Sequence, residues 1–200
     1  YHLEKYAEYI LPFNQRDTII IKGYHHWVGR ALSIVNALEF LVDSIKEYQV
    51  YVYSAHQVVI DRIEELKAKH NLSIEYSSRQ SEISQEELLQ KFGRSKIAIA
   101  SSISDGIPNT LLESMICGAF PIQTNPGGVT EDYITDGENG FLIKNAENTD
   151  EILKLITYAL ANEQLMKDAF KINQKKVKKL NYKEIQEQVL AIYNNIEKEL

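Results

Sequence analysis

The chain has 200 residues, 44% of them hydrophobic and 25% charged, and carries a net charge of −6. That length and balance suit one compact domain, or one domain with a helical extension, and the acidic balance argues against nucleic acid as the main partner, because a phosphate backbone is held by a positive field. The single cysteine, Cys117, excludes an internal disulfide and fits a reducing, cytoplasmic compartment; within an apolar helix stripe it reads as a small core residue and not as a reactive thiol.

The sequence contains no run of about 18 apolar residues, so no segment reads as a membrane span. The opening Tyr1-His2-Leu3-Glu4 has neither a basic region nor an apolar stretch, and it is read as a cut within a longer protein, not as a leader.

In chain order, residues 1–17 read as an interdomain segment or an N-terminal extension. Short, near-continuously apolar runs then recur at 18–23, 50–54, 73–77, 96–101, 120–124 and 140–143, as strands buried on both faces should. Helical periods lie between them. Leu32, Val35, Leu38, Leu41, Val42 and Ile45 keep one rhythm, and Val59, Ile63 and Leu66 another. Ser84-x-x-Glu87 is a capping box ahead of Leu88, Leu89 and Phe92. Alternating strands and helices predict an α/β fold, a doubly wound parallel six-stranded Rossmann-like sheet over 18–160. Helices are predicted at about 149–161, 163–179 and 183–198, with Thr149 as an N-cap, and residues 161–200 are expected to pack on the sheet domain. Lysines 171, 175, 176, 178, 179 and 183 form a basic block, read either as a solvated helix face or as a surface drawn to anionic lipid.

For strand order 3-2-1-4-5-6, the first and fourth strands are neighbours whose crossovers leave in opposite directions. A crevice opens at their carboxyl ends, and ligands bind there. The loops concerned are 23–30 and 102–108, so the topology predicts that Lys22, Arg30, Asp105 and Gly106 meet. A helix N-terminus beside Arg30 and Lys22 is a competent diphosphate site, since dipole, amides and cations all favour an anion; solvated surface charge is the alternative. His25 and His26 are a poor metal pair, because adjacent side chains point apart and no further ligand follows nearby.

Residues 104–128 carry two carboxylates, Asp105 and Glu113, across a Gly-Ile-Pro turn, followed by Gly118, Pro121 and Gly127-Gly128. Thr110-x-x-Glu113 is also a capping-box pattern, so Glu113 could serve its own helix N-terminus. That alternative leaves Asp105 and the glycines unexplained. Amides near Asn109 and Thr110 and at Gly127-Gly128 would complete an anion cradle, although the glycine pair equally suits a plain turn after Pro126. Asp136-Gly137 and Asn139-Gly140 read as a structural turn.

The 104–128 string resembles the acidic signature of retaining glycosyltransferases of family 4, group 1, in which Glu-x7-Glu precedes Met, Gly and Pro; Asp105 takes the place of the first Glu. The resemblance covers roughly residues 18–160. It implies one half of a GT-B fold, the C-terminal donor-binding domain, with an N-terminal acceptor domain as partner and residues 1–17 and the last helix near that junction. It implies a nucleotide sugar as donor, with Glu113 on the ribose, Asp105 on the sugar hydroxyls, and neither cofactor nor metal. It implies hexosyl-type transfer with anomeric retention, an isolated fragment that is inactive, and a role in polysaccharide or glycolipid synthesis with a lipid-linked acceptor at the inner membrane face. The family's Gly-Arg…Lys-Gly loop is altered here, with Tyr24 and Val28 at the Arg and Lys positions. A rival reading is a non-catalytic nucleotide- or sugar-binding module; an epimerase or phosphorylase fits the acidic spacing less well.

Overall fold

The computed structural model describes residues 1–81 and 83–199, with side chains through 196; Glu82 and Leu200, the last residue of the expected 161–200 stretch, lie outside it. Six parallel strands, β1 (Thr18–Lys22), β2 (Gln49–Ala55), β3 (Ile74–Ser78), β4 (Ser95–Ala100), β5 (Phe120–Thr124) and β6 (Phe141–Ile143), form one sheet in the order β3-β2-β1-β4-β5-β6. This is the doubly wound order expected, with strand ends moved by at most one residue.

The helices are α1 (Leu3–Tyr6), α2 (Ala31–Leu38), α3 (Val42–Ile45), α4 (Gln57–His70), α5 (Gln85–Arg94), α6 (Asn109–Cys117), α7 (Thr149–Ala161), α8 (Glu163–Val177) and α9 (Tyr182–Glu199). The strands' two-residue period divides the core. Ile19 and Ile21 of β1 join Val50, Val52, Ile97, Ile99 and Ile122 beneath α2, α4, α7 and α8, whereas Ile20 faces the other layer with Tyr51, Tyr53, Ala98, Phe92 and Cys117. Ile19, Ile20 and Ile21 are all fully buried, and each such side chain contributes about 1.5–3 kcal/mol of burial. Cys117 is a core residue, and burial pushes its thiol up to about 12.

Three local expectations are corrected. The period predicted as one helix to Ile45 breaks into α2, a tight turn over Glu39–Leu41 and α3, leaving Phe40 exposed on the turn. The N-cap of α7 is Asn148 and not Thr149: its side chain accepts the Glu151 amide, and an Asn oxygen reaches this position from a less hindered side chain. The Thr110 capping box does not form, because α6 starts two residues earlier, with Pro108 and not Thr110 at the N-cap and without a side-chain cap.

Residues 1–17 lie against α5 and α6. The Leu11 and Asp17 amides donate to the carbonyls of Gly93 and Arg94, and the buried Arg16 guanidinium donates to the carbonyls of Leu11 and Gly118. Gly118 adopts φ 92°, and a Cβ there would lie 2.6 Å from that guanidinium, so glycine both ends α6 and admits Arg16. Asn139 holds the 136–140 turn by donating to Tyr133 O and Asn173 Oδ1 and accepting from the Thr135 amide, a structural role. In α9, Ile185, Val189, Ile192, Tyr193 and Ile196 are exposed. No helix among the described residues is long and apolar enough to cross a membrane.

Candidate functional site

The loops after β1 and β4 meet at the point where the strand order reverses. The Ile103 amide donates to Val28 O at 2.8 Å, and Gly29 pairs with Ser102 across a single bridge. The Thr124 hydroxyl, at the end of β5, donates to Ser102 O. Backbone and side chain thus lock three loops at the carboxyl edge of the sheet, where open α/β sheets bind ligands.

Lys22 and Asp105 face one another there at 3.9 Å. They border a depression of about 240 Å³ with Tyr24, Val28, Arg79, Ser102 and Ser104. Burial lowers the Lys22 ammonium from its ordinary range, Asp105 opposes that shift, and Arg79 adds to it. Ser102 also borders a larger groove of about 540 Å³, walled by Thr124, Asn125, Pro126, Asp136 and Lys144 at the ends of β5 and β6. A cation, a carboxylate and several hydroxyls beside open volume suit an anionic, hydroxyl-rich ligand.

The remaining expected residues fall into distinct settings. Gly106 follows Asp105, and a Cβ there would meet nothing within 4 Å; open space, not a protein neighbour, surrounds it. Asn109 and Thr110 begin α6 ahead of the helix's own hydrogen-bond ladder, whereas the next two amides, of Leu111 and Leu112, donate to Pro108 O at 3.0 and 3.3 Å, and Asn109 Oδ1 accepts the Tyr1 hydroxyl at 3.0 Å. Gly127 and Gly128 follow the groove-lining Pro126 at φ 66° and 82°, with open space where their Cβ atoms would be. The glycines are set by the turn's left-handed backbone, and the Gly128 amide donates to Asn125 O at 3.4 Å within that turn.

Glu113, in contrast, borders neither depression. It is 7% exposed, and its Oε1 accepts from Gln85 Nε2 of α5 at 2.7 Å. Burial raises its carboxyl above the ordinary range, partly offset by Gln85. Its charge helps raise the Tyr1 and Tyr6 hydroxyls to about 12, after the larger effect of their burial.

Arg30 does not reach the Lys22–Asp105 depression. Its Nε donates to Glu147 at 2.7 Å, and one terminal nitrogen reaches the carbonyls of His26, Trp27 and Gly29 at 2.7–3.0 Å. It clasps its own loop, because the chain reverses over it and presents three carbonyls within reach.

Two residues that the sequence pattern did not single out stand at this edge. His56, just after β2, accepts the His25 amide on Nδ1 at 3.1 Å, while His25 Nδ1 accepts the Leu32 amide at 3.3 Å. Both rings use a nitrogen lone pair to hold backbone, so neither is arranged for a metal. Arg79, just after β3, lies with its guanidinium 5.1 Å above the Tyr24 ring. Both follow strand ends, the one signal that could have marked them.

The family model for glycosyl transferases group 1 matches residues 44–191. The chain belongs to this glycosyl transferase group. No curated protein is significantly similar in sequence. Among solved structures, the group 1 chain is similar to sucrose-phosphate synthase from Thermosynechococcus elongatus, with 20% identity, TM-score 0.71, and coverage of 95% of this chain and 47% of that one. It is also similar to the pneumococcal O-GlcNAc transferase GtfA, with 18% identity, TM-score 0.71, and coverage of 91% and 36%. The C-terminal domain of the group 1 protein LpcC from Francisella tularensis has 17% identity, TM-score 0.68, and coverage of 90% and 92%. The group 1 chain therefore has the fold of a GT-B C-terminal domain and spans less than half of the first two proteins.

Proposed function

We propose that the chain is the donor-binding half of a glycosyltransferase that moves a sugar from a nucleoside diphosphate sugar to an acceptor hydroxyl with anomeric retention. The observation that carries this reading is the Lys22–Asp105 pair at the strand-order switch point, 3.9 Å apart beside open volume, in a chain of the glycosyl transferase group 1 family. GtfA, of the same fold, is described in complex with UDP and GlcNAc.

In this reading the Asn109 and Thr110 amides of α6 and Lys22 hold the diphosphate and stabilise the charge that grows on it as the glycosidic bond breaks. Asp105 accepts hydrogen bonds from sugar hydroxyls, and Glu113 accepts them from the ribose. The acceptor comes from an N-terminal domain, and the exposed apolar face of α9 is a surface suited to lie against it. Transfer is of the hexosyl type, without metal or cofactor, in cytoplasmic polysaccharide or glycolipid synthesis, with a lipid-linked acceptor at the inner membrane face. The isolated chain alone transfers nothing.

Calorimetry of the chain against UDP-, GDP- and ADP-sugars tests the reading, which fails if none binds. A non-catalytic binding module of the same fold is favoured by one observation, the commitment of Arg30 to its own loop. Sugar transfer by a protein that carries both halves would exclude that module.

A further inference from the structure

Tryptophan carries a large apolar surface and is highly buried on average. Trp27, the one tryptophan of the chain, is 74% exposed. Its loop is nonetheless held on several sides. One nitrogen of the Arg30 guanidinium donates to the carbonyls of His26 and Trp27 at 2.7 and 3.0 Å, the Val28 carbonyl accepts the Ile103 amide, and Gly29 pairs with Ser102. The His26 ring stands edge-on to the indole, with centroids 6.0 Å apart and planes at 66°, and is itself stacked on His56 at 6.1 Å. The indole is therefore ordered before any ligand arrives, which spares the ligand that cost.

Two further apolar side chains stand out from the facing loop after β4: Ile103 and Ile107 are 48% and 42% exposed. Interleaved with them are Ser102, Ser104 and Asp105, which with Lys22 and Val28 line the smaller depression. The core of a protein interface is depleted in charge, so this mixture of apolar surface and hydroxyl-binding groups suits a protein surface poorly. It suits a pyranose, which has C–H bonds on one face and hydroxyls around its edge. The donor's base belongs elsewhere. Glu113, assigned above to the ribose, pairs with Gln85 of α5, and α5 and α6 pack on the sheet face opposite α2, into which the Trp27 loop leads.

We propose that Trp27 is the platform for a sugar ring of the acceptor, with the C–H face of the pyranose on the indole and Ile103 and Ile107 beside it, so that the acceptor is itself a carbohydrate. This rests on the donor-site reading above and adds to it the chemical class of the second substrate. The Arg30 clasp, which does not reach the Lys22–Asp105 depression, sets this platform.

Because the chain has no other tryptophan, its indole fluorescence reports this position alone. The chain is titrated with UDP, GDP and ADP, and then, saturated with whichever binds, with the methyl glycosides of glucose, galactose, mannose and N-acetylglucosamine. At least one glycoside is expected to change the emission saturably, and saturation-transfer NMR should show its ring C–H protons receiving magnetisation from the protein. Trp27→Leu should weaken that glycoside about 2- to 12-fold in the NMR titration, the equivalent of one aromatic contact, while diphosphate affinity stays within about twofold; Trp27→Tyr should recover most of the loss. If the wild type binds no diphosphate, the donor-site reading itself falls, and this inference with it. If a diphosphate binds but no glycoside perturbs the indole, or the diphosphate alone perturbs it as strongly, or Trp27→Leu binds the glycoside as well as the wild type, the donor site stands and the acceptor platform is overturned.

Discussion

Replacing Glu113 with Gln separates a binding role from a folding role at one atom pair. The residue is 7% exposed and accepts from Gln85 at 2.7 Å, and Gln keeps both its shape and a carbonyl oxygen for that donor. What it loses is charge. A carboxylate offers about four lone-pair positions, of which Gln85 takes one, and the proposed donor site assigns others to ribose hydroxyls. Losing a charged acceptor costs about 1.5–3 kcal/mol, or roughly a 10- to 100-fold loss of nucleotide affinity. Stability should hold or rise. Burial lifts the Glu113 pKa in the fold, so its stabilising contribution is complete below the unfolded value and is lost as pH rises through the folded one; at neutral pH the folded state bears a desolvation cost that Gln removes. The measurements are calorimetric titration with a nucleoside diphosphate and denaturant melts at pH 7. Unchanged affinity together with reduced stability would refute the reasoning and make Glu113 a structural residue.

Other outcomes follow from the same geometry. Asp105→Ala should weaken a nucleotide sugar about 10- to 100-fold and leave the diphosphate alone nearly unaffected; equal losses in paired titrations would mean that Asp105 only shapes its loop. Binding should be unchanged by a chelator, which calorimetry with and without EDTA measures. His25 and His56 are held below the ordinary histidine range, mainly by burial and then by neighbouring Arg30 and Arg79 respectively. The unfolded chain therefore takes up their protons first as pH falls below about 6.5, and stability drops through that window. Urea melts from pH 7.5 to 5.5 should show a shallower loss for His56→Gln than for the wild type. Asn148→Ala should remove the α7 cap, costing about 1 kcal/mol and lowering the melting temperature by roughly 2–4 °C in a chain of this size.

The strand order and the meeting of Lys22 with Asp105 were legible in the sequence, because apolar runs such as 18–23 and 96–101 mark buried parallel strands and the order of such units limits where their loops converge. The capping box at Ser84 and Glu87 was legible for the same local reason, both partners lying within four residues. Local pattern failed where competing partners are remote. Thr110 and Glu113 match a capping box, yet Gln85, 28 positions earlier, takes the carboxylate. Arg30 sits at the mouth of a helix, yet Glu147, 117 positions later, and the reversal of its own loop take the guanidinium. Arg79 carries no motif and gains its place at the crevice from β2–β3 pairing and the Tyr24 ring. Periodicity and chain order determine the scaffold because they act on every residue along an element. The direction of a long charged side chain is decided by whichever oppositely charged or hydrogen-bonding group the folded chain brings within about 3 Å, and that distance exists only in the tertiary structure.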